Sequence, residues 1–267
     1  MKIISLANNP KTTPTDLVNT ISMDPLLTAK LLRLVNSAFY GPNRAISSLN
    51  RAVIMLGFNT VKNMALSIAV VSSIGIKDDF KWFTNEEFWQ HNLGCAIAAR
   101  MMGTTMGASP LEVEEFFIAG LLHDMGRAVL IQKFQEKCET IYDPDYKPDT
   151  TRIDLENEHF GISHSELGGV VARHWKFPES LIMAIGNHHA PLSMEEDHHK
   201  MLTLTVHMAD QFSHKLKIGI QNSSNTGTIS EEAWAAFKLD SGQAEKCLMG
   251  LPESVEDAKA FLQKIDD

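Results

Sequence analysis

The chain has 267 residues, 44% hydrophobic and 21% charged, with a formal net charge of −9. That length allows one large domain or two modest ones around a substantial core. The acidic balance, with no basic run anywhere, argues against sequence-independent gripping of a nucleic-acid backbone.

Helix signals dominate, and alternating strand patterns flanked by turn pairs are scarce. The opening residues Met1-Lys2-Ile3-Ile4-Ser5-Leu6-Ala7-Asn8-Asn9-Pro10 hold too little apolar content for a signal peptide. Thr13-Pro14-Thr15-Asp16 reads as an N-cap, a proline in the first turn and an acid behind it, and predicts a helix near 14–22. Asp24-Pro25 repeats the pattern and opens a helix near 24–37; further helices are expected near 48–57 and 59–75. Lys77-Asp78-Asp79 marks a polar break, dividing an N-terminal helical part, 1–78, from a second part, 79–267. Thr84 with Glu87, Ser109 with Glu112 and Ser163 with Glu166 read as capping boxes. They and the apolar spacing behind them predict helices near 84–106, 110–134, 150–160, 163–175, 178–189 and 197–217. A polar loop, Gln221-Asn222-Ser223-Ser224-Asn225-Thr226-Gly227-Thr228, precedes short helices from Glu231, Gln243 and Ser254. The expected fold is all-α. No segment reaches the roughly 18 apolar residues that span a bilayer, so no membrane role is expected. Cys95, Cys138 and Cys247 show no paired spacing and suit free thiols in a reducing cytoplasm.

The chemistry concentrates at His123-Asp124, which follows the apolar run Phe116-Phe117-Ile118-Ala119-Gly120-Leu121-Leu122. Two polar side chains at the inner end of a buried helix are costly without compensation, and a divalent metal would supply it. Neighbours on a helix diverge by about 100 degrees, so the pair can flank one point beside the helix. Gly120 and Gly126 allow neighbouring backbone to come close. His91, His164, His188-His189 and Asp210 offer the same donors, imidazole nitrogen or carboxylate oxygen, with no thiolate among them. Taken alone, each has a plainer reading. His91 reads as a hydrogen-bonded histidine, His188-His189 as a polar helix end, and Asp210 as a cap or an ion-pair partner. Taken together, in this order, they favour a metal site. His159, His174, His198, His199, His207 and His214 read as surface or structural residues. Of these, His207 stands three residues before Asp210 and could orient that carboxylate without touching a metal.

His91, His123-Asp124 and Asp210 resemble the H…HD…D signature of the HD-domain metal-dependent phosphohydrolases, an all-helical superfamily. His164 and His188-His189 resemble the second-metal ligands of the HD-GYP branch, whose members hydrolyse cyclic di-GMP. Over length the chain is more similar to the HDOD family, a regulatory relative. The carrying segments are Asp24-Pro25-Leu26-Leu27-Thr28-Ala29-Lys30-Leu31-Leu32-Arg33-Leu34-Val35-Asn36-Ser37-Ala38-Phe39-Tyr40-Gly41, Arg51-Ala52-Val53-Ile54-Met55-Leu56-Gly57-Phe58, Ala119-Gly120-Leu121-Leu122-His123-Asp124-Met125-Gly126, His164-Ser165-Glu166-Leu167-Gly168-Gly169 and Trp175-Lys176-Phe177-Pro178. The resemblance covers about residues 5 to 215. It departs from the active HD-GYP pattern: no GYP tripeptide follows, Ala190 replaces the acid after the histidine pair, and Arg127 stands where a lysine is usual. These departures count against cyclic-dinucleotide hydrolysis and leave metal binding untouched.

The resemblance implies an HD-like helical core with an N-terminal helical subdomain, and one or two divalent ions. Iron or manganese follow from the resemblance; zinc and nickel also suit the donors. Asp124 would bridge two ions, and Asp124 with Arg127 would serve catalysis in an enzyme. Such a centre would attract a small phosphate-bearing ligand despite the acidic whole. The regulatory alternative makes the metal structural or sensory, with a signalling protein as partner. Asn36-Ser37-Ala38-Phe39-Tyr40-Gly41 could then be an interface, although it reads more readily as a helix end and turn. A helix-turn-helix over 14–37 ranks last, because Lys30 and Arg33 are its only basic residues.

Overall fold

A computed structural model of the chain describes residues 6, 9, 11–36, 46–77, 79–143, 145–146, 150–195, 199–220 and 227–259. Ser37 to Gly41, Asp78, His198, most of the polar loop from Gln221 and most of the opening residues lie outside them. The described elements are α-helices and one short 3-10 turn, without a strand, so the fold is all-α. They form two compact units. One comprises the described residues up to Ser73 with those from Glu253, and the other is Ile74–Pro252. The boundary expected at 78/79 instead keeps all the C-terminal short helices in the second part.

The first unit contains α1 (Pro14–Ser22), α2 (Pro25–Asn36), α3 (Leu49–Leu56) and α4 (Phe58–Ser73). Thr13 and Asp16 close a reciprocal capping box on α1, with Pro14 in the first turn. Asp24 caps α2 by accepting from the Leu27 amide at 3.0 Å. Their apolar side chains form the core of the unit: Leu17 and Ile21 from α1, Leu31, Leu34 and Val35 from α2, and Val61, Met64 and Ile68 from α4, which is buried nearly all round. Asn36 ends α2 by donating to the Leu32 and Ile46 carbonyls and accepting from the Ile46 amide. Two of these hydrogen bonds, both to Ile46, join the two flanks of residues 37–45.

The second unit is built on α5 (Asn85–Thr105), which packs against α6 (Pro110–Leu122) and α11 (Lys200–Lys215). Between them in sequence come α7 (Met125–Ile141), α8 (Arg152–Phe160), α9 (His164–His174), α10 (Glu179–Asn187) and a 3-10 turn at Pro191–Ser193. Three short helices follow: α12 (Glu231–Ala236), α13 (Ser241–Cys247) and α14 (Leu251–Ala258), the last crossing the division between the units. The capping boxes at Thr84, Ser109 and Ser163 all form as the sequence predicts. Thr151 with Asp154 and Asp240 with Gln243 add two more. Helix α5 is buried almost all round, which makes it the centre of this unit.

The structure corrects one expectation with consequence for the site. The apolar pattern predicts a single helix over 110–134, but α6 stops at Leu122 and α7 starts at Met125. His123 caps α6, its ring Nδ1 donating to the Gly120 carbonyl at 2.7 Å. Asp124 leaves the helical region at φ −95, ψ 8, and its carbonyl then accepts from the Arg127 amide. The reason for the restart lies in the next element. A Cβ at Gly126 would stand 2.0 Å from the His164 carbonyl oxygen and 2.6 Å from the Gly168 nitrogen. Helix α9 is thus pressed onto the start of α7 and fixes where the second helix begins. Helix α7 also runs beyond 134, with Phe134 at φ −135, ψ 44 marking a kink where the sequence reading had placed its end.

Candidate metal centre

The second unit brings donors from α5, α9, α11, the α6–α7 junction and the C-terminal end of α10 to one place. They form two adjoining groups, His91, Cys95, His123 and Asp210 in one, and Asp124, His164, His188 and His189 in the other. Within each group the donor atoms lie within 4.8 Å of one another. Every metal-ligand candidate of the sequence reading is present in one of the two. His123 and Asp124, adjacent in sequence, fall in different groups, with Nε2 of the first 3.7 Å from Oδ2 of the second. The restart of the helix is what lets these neighbours face the same centre from two sides.

In the first group Asp210 Oδ1 stands 3.1 Å from His91 Nε2 and 3.7 Å from His123 Nε2. The Cys95 sulfur lies 3.6 Å from His91 Nε2. In the second, Asp124 Oδ1 stands 3.1 Å from His164 Nε2 and 3.8 Å from His188 Nε2, and His189 Nε2 is 3.0 Å from His164 Nε2. Donors each about 2.0–2.3 Å from a shared tetrahedral ion would stand roughly 3.3–3.8 Å apart; three of these spacings, 3.6, 3.7 and 3.8 Å, fall in that range, and the other three, 3.0–3.1 Å, are shorter.

Backbone carbonyls fix the ring orientations. His123 Nδ1 donates to Gly120 and His188 Nδ1 donates to the Ile185 carbonyl at 2.8 Å. That leaves Nε2 of each ring facing the centre, and neither Nε2 has a hydrogen-bond partner although both are buried. Buried polar atoms without partners are costly, so two of them facing carboxylates suit a bound cation between them. The donor set therefore fits divalent metal. His164 is oriented differently: its Nδ1 donates to Glu156, 2.7 Å from Oε2, and its backbone amide donates to the same oxygen. Tyr142 donates to Glu156 Oε1 at 2.5 Å. Arg127 lies 2.8 Å from Asp124 Oδ2, with its guanidinium over the Tyr142 ring. His207 does not meet Asp210; its Nδ1 donates to the His188 carbonyl at 2.8 Å, supporting the end of α10.

The electrostatics separate the histidines. Burial, reinforced by His214, pushes His91 down to about 4, and burial with His123 pushes His188 down to about 3. Burial and His188 hold His189 well below its ordinary value. These three are neutral near pH 7, as metal ligation requires. Burial works most strongly against a charged His164, but the Glu156 and Asp124 carboxylates together outweigh it and raise that ring to about 9. Burial likewise opposes the Asp124 carboxylate, yet Arg127 and His123 keep it well below the usual range.

Three residues of this neighbourhood escaped the sequence reading. Cys95 stands four residues after His91, and His214 four after Asp210, so each shares a helix face with its neighbour. His214 Nε2 lies 3.3 Å from Asp210 Oδ1 and its ring packs 4.5 Å from His91, so it is buried at the centre. Glu156 sits between Ile153 and Phe160 at helical spacing, a carboxylate on an apolar stripe. That placement is the signal that could have found it.

The sequence pattern of the HDOD domain matches residues 1–191. The chain belongs to the HDOD family. Asp210 and His214 lie beyond the matched residues, so part of the centre comes from the segment that follows the HDOD match. The chain is 27% identical over 211 residues to an uncharacterised protein of Treponema pallidum (strain Nichols), covering 79% of this chain. It spans only 40% of the length of that relative. Among solved structures it is similar to a protein of Shewanella amazonensis SB2B provisionally named a phosphohydrolase. The two are 25% identical with a TM-score of 0.74, over 97% of this chain and 91% of the other. A protein of Marinobacter aquaeolei VT8, provisionally named for signal transduction, shares the fold. It is 22% identical with a TM-score of 0.71, over 98% of this chain and 58% of that one. No helix among the described residues is long and apolar enough to cross a membrane.

Proposed function

We propose that this HDOD protein is a regulator whose second unit is organised by a one- or two-ion metal centre, the ions holding its helices in a signalling-competent arrangement. The observation that carries this reading is closure. His91, His123, Asp124, His164, His188 and Asp210 are each at most 2% exposed, yet the His123 and His188 Nε2 atoms lack protein partners. A centre so enclosed suits a structural or sensory ion better than a turnover site, which keeps an open coordination position. Iron and manganese are the ions we favour through the resemblance, with zinc and nickel compatible with the donors. The output is then a surface recognised by a signalling protein.

A second reading, metal-dependent hydrolysis of a nucleotide or cyclic dinucleotide, is favoured by one edge of the centre. His189 and Arg127 are less enclosed than the other groups, Arg127 with 11% of its side chain exposed, so a phosphate-bearing ligand would meet a cationic group there. Bound metal ions would supply an acidified water and a clamp on a phosphoryl oxygen. Arg127 would anchor the anion, and His91 and His188 would remain uncharged donors.

Elemental analysis of the purified protein, followed by incubation with cyclic dinucleotides and generic phosphodiesters, separates the readings. Bound metal with no turnover across several metals supports the regulator. Turnover lost in Asp124→Ala and Arg127→Ala variants that keep their helical content supports the enzyme. A metal-free protein that cannot be loaded removes both.

A further inference from the structure

We propose that Cys95 is a metal ligand, so that the His91, His123 and Asp210 half of the centre selects a thiophilic divalent ion and the Asp124 half makes no such selection. This rests on the metal reading above. The cysteine is fully buried on α5, one turn beyond His91 and on the same face. Its sulfur is 3.6 Å from His91 Nε2 and belongs to a donor group with His123 and Asp210. The independent sign of a ligand in that group is His123 Nε2, buried, without a partner and 3.7 Å from Asp210 Oδ1.

The two halves differ in kind. Two imidazoles, a carboxylate and a sulfur make one; three imidazoles and a carboxylate make the other. Thiolate selects softer ions such as zinc or cobalt over manganese, whereas the all-nitrogen-and-oxygen half has no such preference. Ligation replaces the S–H bond by an S–metal bond and releases that proton to solvent, so on binding its ion the first half releases one proton more than the same half lacking the sulfur would. The alternative is a cysteine acting only as a small buried apolar residue.

The test reconstitutes metal-freed full-length protein with Co(II) and records its near-ultraviolet spectrum, cobalt content and proton release. We expect a sulfur-to-cobalt charge-transfer band that persists in a Cys138→Ser/Cys247→Ser variant and vanishes in Cys95→Ser. Zinc affinity of Cys95→Ser should fall by at least the roughly tenfold that loss of an outer ligand partner costs, with manganese affinity little changed. Should Cys95→Ser fail to fold, the band and proton release of the Cys138→Ser/Cys247→Ser variant decide alone. Cobalt bound without the band, or a band surviving in Cys95→Ser, overturns the Cys95 assignment and leaves the metal centre standing. Wild-type protein that binds no cobalt overturns both.

Discussion

Glu156 shows how a residue outside the donor groups can govern them. It accepts from the ring Nδ1 and the backbone amide of His164 and from the Tyr142 hydroxyl. That network sets which nitrogen of His164 faces Asp124. Glu156→Gln keeps the shape but removes the charge that holds His164 in place. Metal affinity should then fall by about 10–100-fold, as when outer partners of metal-binding histidines are lost. Isothermal titration with the native metal, alongside circular dichroism, checks this; unchanged affinity would remove Glu156 from any role in the centre. The histidines and aspartates of the centre were readable because their identities announce ligand chemistry wherever they occur in an apolar run. Glu156 was not, since a glutamate in a polar helix usually faces water. Cys95 was passed over because a lone cysteine in an apolar helix is most often plain packing. His214 could have been found only by giving weight to its position one turn after Asp210.

At the scale of elements, capping chemistry carried the fold. The boxes at Thr84, Ser109 and Ser163 are local, each closed within four residues, so their signal survives without tertiary context. The break at His123-Asp124 was hidden, because its cause is the approach of α9 to Gly126, which sequence spacing cannot show. That approach makes Gly126→Ala a test of the junction. The added methyl meets backbone rather than a movable side chain, at 2.0 Å from the His164 oxygen. We expect a loss of about 1–3 kcal/mol or more, the usual cost of overpacking, together with weaker metal binding as His164 shifts. Gly250→Ala, where an added Cβ meets nothing within 4 Å, is the control and should move the urea midpoint little. Equal midpoints for the two variants would show that α7 and α9 do not meet as tightly as described.

At the scale of the molecule, every donor lies in the unit Ile74–Pro252 and none in the helices α1 to α4. The sequence placed the donors in its second part, but the grouping of residues from Glu253 with the first unit depends on contacts far apart in the chain. The placement makes metal a local stabiliser. An ion that binds the folded unit and not the unfolded chain adds about 2.7 kcal/mol at a hundred times its dissociation constant. Chelation removes that increment from the elements carrying donors. Hydrogen exchange followed by mass spectrometry should therefore show faster exchange in α5, α9, α10 and α11 after chelation, reversed on adding metal back. Peptides from α1 to α4 should keep their rates, because local opening is set by the contacts each segment makes. A chain-wide rise would mean that metal loss unfolds both units together, contrary to a local role. No change in α9 and α10 would mean that His164, His188 and His189 are held by packing alone.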